Sequence, residues 1–127
     1  MKASRMHDNL SAYAKGVLGE AAVCDRLTDG GMELLERRFR SPFGEIDLIM
    51  LDGDVVAFVE VKLRTRGGTE AGQAAVTPLK RRRMVEAARC YLGAHPEHAG
   101  RCVRFDVVTV TAEGVRHVPD AFSGCEW

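Results

Sequence analysis

Residues 44–62 read GEIDLIMLDGDVVAFVEVK, and this stretch decides the fold. It contains two runs rich in β-branched and aliphatic residues, 45–51 and 54–62, on either side of the dipeptide Asp52-Gly53. An Asp-Gly pair between two such runs is a strong short-range signal for a β-hairpin. We therefore predict two antiparallel strands that are joined by a two-residue loop.

Two acids and a lysine converge on one face of this hairpin. The predicted loop sets Asp47 opposite Phe58 and makes Glu60 its diagonal neighbour. Because side chains alternate along a strand, Asp47, Glu60 and Lys62 share one face. The second strand of the hairpin is otherwise apolar on both faces, which is typical of a buried central strand, and a carboxylate buried there needs a cation or a metal. A purely structural Glu60–Lys62 or Asp47–Lys62 ion pair is the alternative.

A helix before the hairpin supplies a third acid. Apolar residues recur at helical spacing over residues 8–28. Glu20 lies on the buried flank of this helix, between Val17 and Cys24. A carboxylate that faces the sheet beside two others would be repelled unless a divalent cation lay between them, and oxygen ligands without His or Cys favour Mg²⁺ or Mn²⁺. Pairing of Glu20 with an arginine such as Arg104 is the alternative.

The remaining elements complete one α/β domain. The order αβββαβ, with an optional last strand, predicts a single domain over residues 1–127 with a central sheet flanked by helices. The glycine-containing stretch after the hairpin has little periodicity and predicts a mobile loop. In chain order, the predicted elements outside the first helix and the hairpin are a strand at 34–40, the loop at 64–75, a helix that begins at Thr77-Pro78, a strand at 103–111 and an edge strand at 115–118.

Bulk properties narrow the class of protein. Eighteen basic and eighteen acidic residues give a net charge of zero, which counts against binding nucleic acid by charge alone. The four cysteines are scattered without a CxxC pair, so we expect them to be reduced. The chain has neither a signal-peptide core nor a run of roughly 18 apolar residues, so we expect a cytoplasmic protein without a membrane span.

The acids and the lysine suggest a particular chemistry. Carboxylates that hold Mg²⁺ beside a lysine suit phosphodiester hydrolysis, because the metal neutralises charge in the transition state and lowers the pKa of a bound water. Lys62 would hold or polarise that water, or stabilise the developing charge. The predicted nucleic-acid path lies near the end of the strand that carries Lys62 and consists of Arg64, Arg66, Lys80, Arg82 and Arg83.

Several stretches together resemble the YraN-like family of predicted endonucleases. They are Gly16-x-x-Gly19-Glu20, Gly44-Glu45-Ile46-Asp47-Leu48-Ile49, Phe58-Val59-Glu60-Val61-Lys62-x-Arg64, Lys80-Arg81-Arg82 and Arg104-Phe105-Asp106-Val107. That family is similar to archaeal Holliday-junction resolvases and, more distantly, to the restriction-endonuclease-like superfamily with its PD-(D/E)xK site. The resemblance covers nearly the whole chain, and Ile46 stands where the superfamily motif has proline. It implies a restriction-endonuclease-like fold, with Glu20, Asp47 and Glu60 as metal ligands and Lys62 as the catalytic lysine.

These observations lead to one expected function and two alternatives. We expect a Mg²⁺- or Mn²⁺-dependent endonuclease that acts on nucleic acid, with DNA favoured and branched DNA included. The alternatives are a nucleic-acid-binding module that keeps the nuclease fold without cutting and a protein-interaction domain. The intact set of Asp47, Glu60 and Lys62 favours the enzyme. By analogy with resolvases, which act on two strands, we also expect a homodimer.

Overall fold

A five-stranded mixed sheet with one long helix on each face forms the protein. The computed structural model describes residues 12–63 and 76–123. The predicted α/β class and αβββαβ order are confirmed, and the arrangement is consistent with a restriction-endonuclease-like core. The elements are α1 (Ala12–Asp29), β1 (Glu33–Ser41), β2 (Gly44–Asp52), β3 (Val55–Leu63), α2 (Pro78–Ala94), a short 3₁₀ turn (Pro96–His98), β4 (Cys102–Thr111) and β5 (Gly114–Phe122).

Some predicted features fall outside this description. The predicted loop at 64–75, with Arg64 and Arg66, lies outside the described residues, and so do the first four residues of the predicted helix at 8–28. Cys24, Cys90 and Cys102 are free thiols, as expected, while Cys125 is not described. No helix in the described ranges is long and apolar enough to cross a membrane.

The strands lie side by side in their chain order, from β1 to β5. Strands β3 and β4 are parallel, and the other neighbouring pairs are antiparallel. A parallel pair needs a crossover connection, and the connection between β3 and β4 contains α2. Residues 56–60 of β3 are buried, which confirms the predicted central strand. The predicted optional strand is present as the edge strand β5.

Local chemistry sets where α2 begins. The Thr77 hydroxyl accepts a hydrogen bond from the backbone N–H of Lys80 at 3.2 Å, and Pro78 occupies the first helical turn. This confirms the predicted helix start. The buried side chains of α2 recur at helical spacing and face the sheet; they are Met84, Ala87, Ala88 and Tyr91.

The sheet separates two hydrophobic cores. The core on the α2 side contains Phe58 and Phe105 of the central strands, with ring centroids 5.6 Å apart. The core on the α1 side contains Val23 and Leu27 of that helix. Burial on both faces explains why β3 is apolar at nearly every position.

The register of the β2–β3 hairpin differs from the prediction. Asp52 pairs with Val55 and Leu51 with Val56, so the two-residue loop is Gly53-Asp54 and not Asp52-Gly53. Gly53 takes a φ of 61°, and glycine at the first loop position is typical of a type II′ turn, which matches the twist of the strands. The error displaces the predicted pairing by two residues, which leaves the face of each side chain unchanged.

Candidate active site

Strand β2 is irregular at Asp47. Ile46 packs in the α2-side core and Leu48 in the α1-side core, although residues two apart in a regular strand face the same side. On the neighbouring strand β1, Arg38 lies between the two residues that pair with Ile46 and Leu48. Arg38 has a φ of 52°, a left-handed conformation that costs energy in a residue with a side chain. The strict alternation used to predict one shared face for the acids therefore does not hold at Asp47.

This irregularity lets Asp47 bind the neighbouring strand with its side chain. The backbone N–H of Val61 donates a hydrogen bond to Oδ2 of Asp47 at 2.8 Å, beyond the last ladder pair of Leu48 with Val59. Burial, together with the nearby charge of Glu60, raises the pKa of Asp47 to about 8. Asp47 is therefore largely protonated at neutral pH.

Glu20 reaches Asp47 from α1. The helix lies close to the end of β3 at Gly19, where a Cβ atom would lie only 2.6 Å from a methyl carbon of Leu63. The guanidinium Nε of Arg38 lies 3.1 Å from Oε1 of Glu20. Burial raises the pKa of Glu20, while the charge of Arg38 and a hydrogen bond with Asp47 oppose that rise. A hydrogen bond between two carboxyl groups needs one proton, and the raised pKa of Asp47 makes its carboxyl group the donor.

The predicted alternative, an arginine partner for Glu20, is thus present, but the arginine is Arg38, and Arg104 pairs elsewhere. Its guanidinium contacts Asp106 at 2.9 and 3.0 Å and Asp52 at 3.0 Å. Asp106 is fully buried and also accepts hydrogen bonds from Nε2 of His117 and the backbone N–H of Asp120. The buried carboxylate of Asp106 therefore has hydrogen-bond partners within this network, and we assign the network a structural role at the β4–β5 end of the sheet.

Two lysine side chains form ion pairs with Glu60. Its side chain is 6% exposed, and its Oε2 lies 3.3 Å from Nζ of Lys62 and 3.5 Å from Nζ of Lys80. The Glu60–Lys62 ion pair considered in the sequence analysis is therefore present. Lys80, predicted to line the nucleic-acid path, instead extends from the start of α2 to Glu60. The two lysines compensate for the burial of this carboxylate.

Sequence reasoning missed two residues of this cluster, Arg38 and Glu45. Glu45 raises the pKa of Glu20 through its charge, and its Oε2 is buried without a hydrogen bond to any described residue. The closest cation is Nε of Arg40 at 3.5 Å. The position of Glu45, two residues before Asp47, was a usable signal. Nothing local in the sequence marks Arg38, because its role depends on a backbone conformation that glycine or asparagine adopts more readily.

The donor chemistry of the cluster fits a hard divalent cation, but the side chains are not arranged around one. Within residues 12–63 and 76–123, no three His, Cys, Asp or Glu side chains are placed so that they could hold a metal ion. Glu20, Asp47 and Glu60 offer only carboxylate oxygens, the ligands that Mg²⁺ and Mn²⁺ prefer. Metal binding would require Asp47 to lose its proton and the paired cations to release Glu20 and Glu60.

The other predicted nucleic-acid contacts lie beside this cluster. Arg82 and Arg83 are exposed on the first turns of α2, two and three residues after Lys80. Cations near a helix N-terminus interact unfavourably with the helix dipole, by about 0.3–1 kcal/mol each, and α2 has no acid in its first turn to offset them. Helix stability therefore does not explain this basic run.

Comparisons with known proteins agree on one family. Residues 19–110 match the uncharacterised protein family UPF0102. A UPF0102 protein from Rhodopseudomonas palustris strain BisB18 is 40% identical over 116 residues, which cover 91% of this chain and 84% of the relative. One from Alkalilimnicola ehrlichii is 45% identical over 108 residues, covering 85% of this chain and 86% of the relative. One from Bradyrhizobium sp. strain ORS 278 is 40% identical over 116 residues, covering 91% and 81%. These names state no activity.

Proposed function

The chain belongs to the uncharacterised protein family UPF0102, and we propose that it is a metal-dependent endonuclease that hydrolyses phosphodiester bonds in nucleic acid. The observation that carries this proposal is the carboxyl group of Asp47, which is partly buried, accepts a hydrogen bond from the N–H of Val61 and has its pKa raised to about 8 between two further acids. A fold gains no stability from a partly buried acid of this kind, and strongly perturbed carboxyl groups cluster at functional sites.

The residues proposed to hold the metal are Glu20, Asp47 and Glu60. A bound Mg²⁺ or Mn²⁺ would neutralise charge on the phosphate and supply a water of lowered pKa. Ionised Asp47 can remain fixed by the N–H of Val61, so that only its other oxygen is needed for the metal. In the structure described, the negative charge of the three acids is balanced by the proton of Asp47 and by the side chains of Arg38, Lys62 and Lys80.

Lys62 is the proposed catalytic lysine. Its Nζ lies 3.3 Å from Glu60, and the side chain is 22% exposed, so it can contact both a buried ligand and an approaching phosphate. Once Glu60 binds the metal, the ammonium group of Lys62 is available to hold the attacking water or a phosphate oxygen. Lys80 approaches the same carboxylate from α2 and can neutralise a second phosphate oxygen.

The test compares cleavage by isosteric variants. The protein is incubated with labelled duplex, branched and single-stranded DNA and with RNA, in Mg²⁺ or Mn²⁺. We expect Asp47→Asn and Glu60→Gln to lower the cleavage rate by several orders of magnitude and to leave binding without metal nearly intact, since each swap keeps size but removes a ligand charge. Asp25→Asn and Glu113→Gln remove exposed acids far from the cluster and should cut like the parent.

Metal binding has an independent readout. We expect millimolar Mg²⁺ or Mn²⁺ to raise the melting temperature of the parent and not that of Asp47→Asn, because a ligand that binds only the folded state stabilises it. An unchanged melting temperature for the parent would count against the metal site.

The second candidate is a non-cleaving nucleic-acid-binding module. The ion pairs of Glu60 with Lys62 and Lys80 favour it, because they satisfy this buried carboxylate without a metal. Binding without cleavage of any substrate in the panel would establish it, and unfolding of both Asp47→Asn and Glu60→Gln would assign the acids a structural role.

A further inference from the structure

A groove of about 730 Å³ lies along the first turns of α2, the helix that also carries Lys80. It is bounded by the turn between β1 and β2, the first turns of α2 and the end of β5. The side chains that matter for its chemistry are Phe43, Arg81, Arg82, Arg83, Arg89 and Phe122.

The groove concentrates positive charge on a chain whose net charge is zero. Among the described residues, four arginines line it, and the one acid that lines it, Glu86, pairs with Arg89 at 3.0 Å. Arg82 and Arg83 are exposed and have no ion-pair or hydrogen-bond partner among the described residues. A concave surface of this sign raises the local concentration of anions.

Arg81 is held in place by neutral groups. Its Nε donates a hydrogen bond to the backbone carbonyl of Val76 at 3.0 Å, and its guanidinium carbon lies 5.5 Å from the centroid of the Phe122 ring. These contacts orient the guanidinium without cancelling its charge. The groove therefore presents one oriented cation, Arg81, beside Arg82 and Arg83.

Phe43 adds an exposed aromatic face. It lies in the turn before β2 and is 48% exposed, and it shares the groove with the arginines. Phosphate-binding cations beside an aromatic ring are the combination on which unpaired bases stack, whereas a duplex keeps its base faces covered. We propose that this groove binds a single-stranded segment of nucleic acid, with a base stacked on Phe43 and phosphates held by Arg81, Arg82 and Arg83.

The groove and the acid cluster are linked through α2 and the start of β2. Arg83 follows Lys80 by three residues on α2, so the two side chains are neighbours on the helix surface. The Arg83 Cβ lies 3.7 Å from where a Cβ would stand on Gly44, the first residue of β2, and Asp47 follows three residues later. If the proposed endonuclease function holds, on which this step rests, the substrate carries a single-stranded segment beside the bond that is cut.

Binding is tested in chelator, where no cleavage interferes. Fluorescence anisotropy compares labelled 20-mers of dT and rU with a duplex of the same length. We expect Phe43→Leu, which keeps apolar volume but removes the aromatic face, to weaken single-strand binding by about 5-fold or more and Phe43→Trp to retain it, since one stacked base contributes roughly 1–3 kcal/mol. Duplex binding should be the same for Phe43→Leu and Phe43→Trp. The dT and rU arms show which sugar is preferred.

Two controls make the result decisive. Leu79→Ala changes a side chain on the same helix that is also 48% exposed but does not line the groove, so it should bind like the parent. Joint Arg82→Gln and Arg83→Gln should reduce the salt slope of single-strand binding by about 1.4 units. Unchanged single-strand binding by Phe43→Leu, or an equal loss on the duplex, would overturn the proposal. Because these measurements need no metal, they are independent of whether the parent cleaves.

Discussion

The variant Asp47→Asn tests whether Asp47 has a functional or a structural role. Asparagine retains an oxygen that can accept the N–H of Val61, now 2.8 Å from Oδ2 of Asp47. Its amide N–H group can donate to Glu20, as the protonated carboxyl group does. The substitution therefore preserves both local hydrogen bonds and removes only the titration of the group.

The expected magnitude follows from the raised pKa of Asp47. The pKa is about 8 in the folded protein, against an ordinary value of 3.8, and each pKa unit corresponds to about 1.36 kcal/mol. Because the pKa of Asp47 is higher in the folded protein than in the unfolded chain, the folded protein binds this proton more tightly. Its favourable contribution is therefore complete below pH of about 4 and is lost as the pH rises towards 8. The free energy of unfolding should fall by up to roughly 6 kcal/mol across this window, and the Asp47→Asn substitution removes that loss.

The assay is urea denaturation of parent and variant in chelator at pH 5, 7 and 9. We expect Asp47→Asn to be more stable than the parent at pH 9 and the difference to shrink steadily towards pH 5. Asp25→Asn, an exposed change in α1, should show no such trend. A constant difference across the three pH values, or a variant less stable at pH 9, would refute the assignment of Asp47 as a destabilising, partly buried acid.

Two further substitutions test the cations of the protein. Arg104→Met should lower the free energy of unfolding by about 3–5 kcal/mol in urea titrations, because Asp106 is fully buried and would lose its bidentate partner; a loss below about 1 kcal/mol would show that His117 suffices. Lys80→Met should lower the Mg²⁺ concentration needed for half of the thermal stabilisation, because Lys80 competes with a cation for Glu60; an unchanged or higher concentration would contradict that role.

The sequence was sufficient for the fold because its signals are local. Apolar runs around a Gly-containing turn predicted the β2–β3 hairpin, and Thr77-Pro78 predicted the start of α2. The error in the turn is also local, since either of two overlapping dipeptides, Asp52-Gly53 or Gly53-Asp54, can form a two-residue loop. The strand register distinguishes them, because Asp52 pairs with Val55.

The candidate site was only partly predictable, because its geometry depends on a break in regularity. Periodicity identified Glu20, Asp47 and Glu60, but it assumes strict alternation, which fails at Asp47. The sequence analysis considered an arginine such as Arg104 as the partner of Glu20, and the observed partner is Arg38, whose left-handed backbone no propensity favours. Such strained positions are found where several elements together fix a conformation.

The net charge of zero was the strongest argument against a nucleic-acid partner, and the distribution of charge weakens it. At physiological ionic strength, charges are screened beyond about 8 Å, so a bound phosphate responds to the residues around it and not to the sum over the chain. The groove holds four arginines and one paired acid, while the acids near it are balanced by the proton of Asp47 and by Lys62 and Lys80. Zero net charge therefore removes long-range steering, and with it a fast association rate, but leaves the short-range contacts that determine dissociation.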